Sequence, residues 1–175
     1  FDGEGFVRAV RRKGRRVEGA RVLVVGSGGV GSAIAASFAG AGVATLAVHD
    51  VRSDSAEALA ARVARHHPAV EVLTGSADPD GFDVVVNATP LGMAAGDPLP
   101  LDVARLAPTT LVGEVVMKEE LTPFLRAAIA RGCTVQVGTD MLFEMIPAYL
   151  DFFGFPAATA RLDLSRPLPS RGSAP

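Results

Sequence analysis

Short apolar segments alternate with amphipathic segments along most of the chain. The apolar segments are residues 21–26 (RVLVVG), 44–49 (ATLAVH), 70–73, 83–86 (DVVV), 110–116 and 134–137. Runs of this kind are typical of strands that are buried on both faces of a sheet. Residues 31–40, 53–67, 123–131 and 140–153 predict helices. This alternation predicts an α/β fold of the doubly wound Rossmann type, a mostly parallel sheet with helices on both faces.

The pattern divides the chain into three segments. Residues 1–18 predict a helix at a domain junction, and residues 19–155 predict the Rossmann domain itself. Residues 156–175 end in the Pro/Ser/Gly-rich sequence SRPLPSRGSAP, which is typical of a disordered tail. A chain of 175 residues is long enough to bury a substantial core. Because it begins without Met, we expect a fragment or a processed product.

Net charge and the length of the apolar runs argue against two classes of partner. The net charge of −2 is unlike that of a broad nucleic-acid-binding surface. One basic cluster, which we interpret as a solvated helix end, comprises Arg11, Arg12, Lys13, Arg15 and Arg16. No apolar run reaches the roughly 18 residues needed to cross a bilayer. We therefore expect neither a nucleic acid nor a membrane as partner.

Cysteine and histidine usage argues against a metal site. Cys133 is the single cysteine, so an internal disulfide is excluded, and its apolar neighbours predict a buried thiol. This usage suits a reducing compartment such as the cytoplasm. The three histidines, His49, His66 and His67, are not spaced as metal ligands.

The strongest motif is the glycine-rich turn Gly26-Ser27-Gly28-Gly29-Val30-Gly31. It follows a buried strand and opens a helix of small residues, the context that a dinucleotide-binding turn requires. Gly26 permits the tight turn, Gly28 lets the backbone approach a pyrophosphate, and Gly31 allows close helix–strand packing. The helix N-terminus then offers free N–H groups to phosphates.

Asp50 ends the second predicted strand, 19 residues after Gly31. An acidic residue there accepts hydrogen bonds from the adenosine ribose and repels a 2′-phosphate, which favours NAD. Arg52 points the other way, since an arginine can accept that phosphate. The alternative for Asp50 is the N-cap of the helix that starts near Ser53.

A polar loop, Asn87-Ala88-Thr89-Pro90-Leu91-Gly92-Met93, follows the fourth predicted strand. Open α/β sheets bind ligands at the carboxyl ends of their strands. Taken alone, this segment indicates only a loop.

Five motifs together resemble one known family. Residues 2–6 (DGEGF), the glycine-rich turn, NATPLGM, residues 121–125 (LTPFL) and residues 138–142 (GTDML) occur in the order typical of shikimate and quinate/shikimate dehydrogenases. The resemblance covers residues 1–155. It implies reversible reduction of a 3-dehydroshikimate-type ketone with NADH or NADPH.

The resemblance also implies roles for individual residues. Asp2 matches a catalytic, substrate-contacting aspartate that works beside a lysine. The positions that match cofactor contacts are Gly26, Ser27, Gly28, Gly29, Val30, Gly31, Asn87, Ala88, Thr89 and Met93. Val115, Gly138 and Met141 match positions near the nicotinamide. Asp50-Val51-Arg52 resembles the NAD-preferring branch, whereas NADP-using members have an Asn-Arg-Thr cluster there.

The chain departs from the family at its substrate positions. Met117 replaces a tyrosine, and Met145 replaces a glutamine that binds substrate hydroxyls. The family's lysine belongs to an N-terminal substrate domain that this chain lacks, and neither Lys13 nor Lys118 lies in a matching motif. We expect a small hydroxy or keto acid as substrate, with its identity open. A non-catalytic dinucleotide-binding or regulatory module is the alternative, and a homodimer also stays open.

Overall fold

Six strands form one sheet in the computed structural model, which describes residues 2–155. They are β1 (Arg21–Val25), β2 (Thr45–His49), β3 (Glu71–Thr74), β4 (Val84–Asn87), β5 (Leu111–Glu114) and β6 (Thr134–Gln136). Their order is β3-β2-β1-β4-β5-β6, and each neighbouring pair is parallel. The strand order reverses between β1 and β4, which confirms the doubly wound Rossmann fold.

Helices cover both faces of the sheet. They are α1 (Asp2–Arg12), α2 (Gly29–Gly40), α3 (Ser53–His66), α4 (Pro123–Ala130) and α5 (Gly138–Phe152). Side chains of α1, α2, α3 and α5 share one core with Val22 and Val24. Side chains of α4 share the second core with Leu23 and Val25. This division follows from the alternation of side chains along β1.

Helix α1 belongs to the core of the sheet. Phe6 and Val10 are fully buried, and the Phe6 ring meets that of Phe38 edge-on, with centroids 6.1 Å apart. Gly3 and Gly5 allow the close approach: a Cβ on Gly5 would lie 2.5 Å from Met145 Cγ, and one on Gly3 would overlap a backbone carbonyl of α2. The helix predicted to precede the domain is thus packed into it.

The basic cluster at the end of α1 makes mostly intramolecular contacts. Lys13 pairs with Asp140 at 2.8 Å, and Arg12 pairs with Glu144 at the same distance. Arg11 pairs with Glu18, and Arg15 donates to the carbonyl of Thr109. The interpretation as a solvated helix end was therefore incomplete, because these residues also join α1 to α5 and to neighbouring loops.

Several predicted boundaries shift by one or two residues, and the helix predicted within residues 1–18 ends at Arg12. Helix α5 begins at Gly138 instead of Asp140, because the Asp140 carboxylate accepts the backbone N–H of Val137 at 3.2 Å and caps the helix. Strand β5 ends at Glu114, so Val115 and Val116 lie in a loop. The predicted cap Thr122 is confirmed, since its hydroxyl accepts the Leu125 N–H at 3.3 Å. The predicted tail, residues 156–175, lies outside the described residues, and the three-segment division stays a prediction.

Candidate dinucleotide-binding site

The glycine-rich turn has the geometry that its sequence predicts. Gly26 adopts φ 105°, a left-handed conformation that favours glycine, and donates its N–H to His49 O at 2.7 Å. A Cβ on Gly26 would lie 2.7 Å from Ala88 O, and one on Gly31 would overlap Gly26 O. Larger residues at either position would push β1, α2 and the loop after β4 apart.

The first turn of α2 is open to an anion. Its N-cap is Gly28, which provides no side-chain hydrogen bond, so the first N–H groups of the helix lack a capping acceptor. A Cβ built on Gly28 or Gly29 would meet no atom within 4 Å. Val30, one residue on, packs partly against the core. Free donors, a positive helix end and open space together suit a phosphate group.

Asp50 is tied to this turn. Its Oδ2 accepts the backbone N–H and the hydroxyl of Ser27 at 2.8 and 2.7 Å, and its Oδ1 accepts the Arg52 N–H at 3.0 Å. The N-cap of α3 is Arg52, so the alternative role of Asp50 as that cap is wrong. The carboxylate lies just after β2 and lines the crevice at the carboxyl ends of β1 and β4.

The surroundings of Asp50 keep it ionised. Burial acts to raise its pKa, but the hydrogen bonds from Arg52 and Ser27, with the charge of Arg52, outweigh burial and lower the pKa to about 2. The guanidinium charge of Arg52 lowers the pKa least, because its Nε lies 3.9 Å from Asp50 Oδ1 and its side chain is 71% exposed. Asp50 therefore presents a fixed negative charge.

The loop after β4 is shaped by Asn87. Its side chain is fully buried; Nδ2 donates to Leu91 O at 3.1 Å, and Oδ1 accepts the hydroxyl of Thr89 at 2.6 Å. Asp97 Oδ2 accepts the N–H groups of Gly92 and Ala94, each at 2.9 Å. Asn87 thus supports the loop from beneath and presents no exposed group of its own.

A cavity of about 390 Å³ joins these three regions at the point where the strand order reverses. Its lining comprises Val25, Gly26, Gly28, His49, Asp50, Val51, Arg52, Ala88, Thr89, Pro90, Leu91 and Pro100. Open α/β sheets bind dinucleotides in this crevice. Six residues of the predicted cofactor set line the cavity: Gly26, Gly28, Asp50, Arg52, Ala88 and Thr89.

The remaining predicted contacts lie outside that cavity. Met141 and Met145 are 5% and 4% exposed and pack in the core beneath α1, whereas Met93 and Met117 are about half exposed. Val115 donates its N–H to Asn87 O at 3.2 Å, and Gly138 packs tightly against the carbonyl of Val116. Of the two substituted substrate positions, Met117 alone offers an exposed side chain here.

Asp2 has no lysine beside it in the described part of the chain. It is half-buried as the first residue of α1, and its neighbour Gly3 packs against Ala33 of α2. Lys13 pairs with Asp140, and Lys118 Nζ donates to Met93 O at 2.7 Å. A catalytic partner for Asp2 would have to come from other residues.

Two fully buried polar residues were not predicted from the sequence. Gln136 Nε2 donates to Phe6 O at 3.3 Å, and Glu114 Oε2 accepts the Thr122 hydroxyl at 2.9 Å. The signal that could have indicated the burial of Glu114 is its position as a charged residue inside the apolar run LVGEVV. Within residues 2–155, no cluster of His, Cys, Asp or Glu could hold a metal ion, and no helix has the length and apolar character to cross a membrane.

Comparison with known proteins identifies the family. No family model matches the sequence. The shikimate dehydrogenase (NADP(+)) of Acidiphilium cryptum (strain JF-5) is 37% identical over 155 residues, which are 87% of this chain and 55% of that protein. Quinate dehydrogenase from Corynebacterium glutamicum in complex with NAD is 33% identical, with a TM-score of 0.77 over 94% of this chain and 62% of its own. The chain belongs to the shikimate dehydrogenase family.

A reductase with a different name has a similar structure. The ligand-free 5-ketofructose reductase of Gluconobacter sp. strain CHM43 superimposes with a TM-score of 0.79 at 28% identity, covering 91% of this chain and 61% of that one. The chain spans about half the length of the curated relatives that it matches.

Proposed function

We propose that this chain is the NAD(P)-binding domain of a dehydrogenase that acts on a small hydroxy or keto acid of the 3-dehydroshikimate type. The observation that carries the proposal is the uncapped N-terminus of α2 beside the ionised Asp50, at the point where the strand order reverses. Relatives that are dehydrogenases favour this function over a non-catalytic module. The bound nicotinamide would supply the hydride chemistry.

The residues of the crevice fit such a cofactor. The N–H groups of the first turn of α2 would bind the pyrophosphate, with Gly28 leaving room for its approach. Asp50 would accept hydrogen bonds from the adenosine ribose and repel a 2′-phosphate, so NAD is the preferred cofactor and NADP the second. Arg52, exposed at the rim, is the group that would tolerate NADP.

Asp2 would act on the substrate hydroxyl together with a lysine. A carboxylate alone is a poor proton donor at neutral pH, and the lysine would add a proton route and a positive charge beside the developing alkoxide. We propose that a substrate domain joined to this chain supplies it, and that the protein works in the cytoplasm, with a homodimer as one assembly. The resemblance of the motifs supports the joined substrate domain, and the free Cys133 suits a reducing compartment.

Replacement of Gly28 tests the proposal. Gly28→Val places a side chain where the pyrophosphate must lie, while its backbone angles, φ −65° and ψ −170°, are open to valine. We expect calorimetry to show loss of NAD binding. Gly40→Val is the matched control, since its Cβ would meet only His67, at 3.7 Å. Undiminished NAD affinity in Gly28→Val would refute the proposed site.

A further inference from the structure

Glu114 is a buried acidic residue with one free carboxyl oxygen. It ends β5 in register with Asn87 at the end of β4, and its side chain is fully buried. Oε2 accepts the Thr122 hydroxyl, whereas Oε1 has no hydrogen-bond partner among the described residues. Buried polar groups are normally paired, so a carboxyl group kept here at this cost points to a role beyond packing.

Glu114 supports two loops that touch each other. The Thr122 hydroxyl caps α4 and donates to Glu114, while the Thr122 methyl carbon lies 3.6 Å from the position that a Cβ on Gly92 would take. Lys118 Nζ donates to Met93 O at 2.7 Å, a second contact between the loops. The loops after β4 and after β5 are thus held as one unit above the carboxyl group.

These two loops lie where the second half of a dinucleotide must pass. Under the proposed function, the adenosine half binds beside Asp50, in the cavity that reaches the first residues of the loop after β4. A dinucleotide crosses the point where the strand order reverses, so its other half extends over the ends of β4 and β5. Its binding surface there is formed by the loops that Glu114 supports.

We propose that Glu114 is a positioning residue for the nicotinamide half of the cofactor, acting through Thr122 and the neighbouring Asn87. This inference rests on the proposed function. Burial raises the pKa of the Glu114 carboxyl group, and the Thr122 hydroxyl and the nearby Asn87 amide only partly oppose burial. A neutral glutamine should therefore replace it well, because glutamine keeps the acceptor for Thr122 and nearly the same shape.

The test compares two ligands that differ only at the nicotinamide. ADP-ribose carries the adenosine, the pyrophosphate and the second ribose, and NADH adds the nicotinamide ring. In calorimetric titrations of the chain, we expect Glu114→Ala to weaken NADH binding about tenfold, the effect of one lost hydrogen-bond partner. ADP-ribose affinity should change less than twofold, and Glu114→Gln should restore NADH binding.

The outcomes separate this inference from the proposed function. A chain that binds ADP-ribose normally but loses no NADH affinity in Glu114→Ala contradicts the inference alone, as does an equal loss for both ligands. An unmodified chain that binds neither ligand contradicts the proposed function as well. If Glu114→Ala does not fold, Thr122→Val carries the test, since it removes the hydroxyl and preserves the shape; it should weaken NADH binding selectively.

Discussion

Asp50 owes its charge to hydrogen bonds more than to an ion pair. Three protein donors from Ser27 and Arg52 hold its two oxygens, whereas the Arg52 guanidinium is mostly exposed and distant. Exposed ion pairs contribute little to stability. The glycine-rich turn therefore helps to keep Asp50 negatively charged, because Ser27 donates two hydrogen bonds to its carboxylate.

This arrangement predicts acid sensitivity. The pKa of Asp50 is about 2 in the folded chain against an ordinary 3.8, so its contribution to stability is complete above pH 5 and is lost as the pH falls toward 2. That contribution is about 2 kcal/mol. Urea unfolding should show Asp50→Asn less stable than the unmodified chain at pH 6, with the difference closing near pH 2. A difference independent of pH would contradict this explanation.

Asp50 should also set cofactor preference. We expect the unmodified chain to bind NAD more tightly than NADP, because an ionised carboxylate repels the 2′-phosphate. Asp50→Ala removes that repulsion and should narrow the ratio of the two dissociation constants, measured by calorimetry under matched salt. Equal or tighter NADP binding by the unmodified chain would mean that Arg52 determines the choice.

At the scale of the elements, α1 is held close by its glycines. Alanine normally stabilises a helix interior by about 1 kcal/mol relative to glycine. Gly3→Ala should do the opposite, since the new Cβ would overlap the backbone carbonyl of Ala33 in α2. We expect a loss of about 2 kcal/mol or more in unfolding free energy. Gly40→Ala, in an open position at the end of α2, is the control and should be neutral or stabilising.

Apolar patterning predicts the elements well and the polar interior poorly. The apolar runs around Leu23, Leu46 and Val85 identify buried strands because strands that are buried on both faces consist of apolar residues. Glu114 and Gln136 are buried for partners far along the chain, Thr122 and Phe6, and no local pattern reveals those pairings. The glycine-rich turn was predictable because its glycines all lie within six positions of the sequence, whereas the core location of Met145 depends on α1.

At the scale of the whole molecule, we expect the chain to provide one part of a catalytic site. Neither described lysine lies beside Asp2. The 175-residue chain should bind cofactor but show negligible hydride transfer to shikimate-type substrates in a spectrophotometric assay. Joined to a domain that provides the lysine, it should be active, and Asp2→Asn should reduce kcat by roughly 10²–10⁴-fold. Robust turnover by the chain alone would contradict the need for a lysine from another domain and would indicate that Lys118 or another group transfers the proton.

We propose that the crevice at the carboxyl ends of β1 and β4 binds a nicotinamide dinucleotide. A crystal structure of the chain with NAD tests this binding site most directly. We predict the pyrophosphate at the N-terminus of α2, within hydrogen-bond distance of the backbone N–H groups next to Gly28, and the adenosine ribose on Asp50. NAD bound elsewhere, or a pyrophosphate distant from α2, would contradict it.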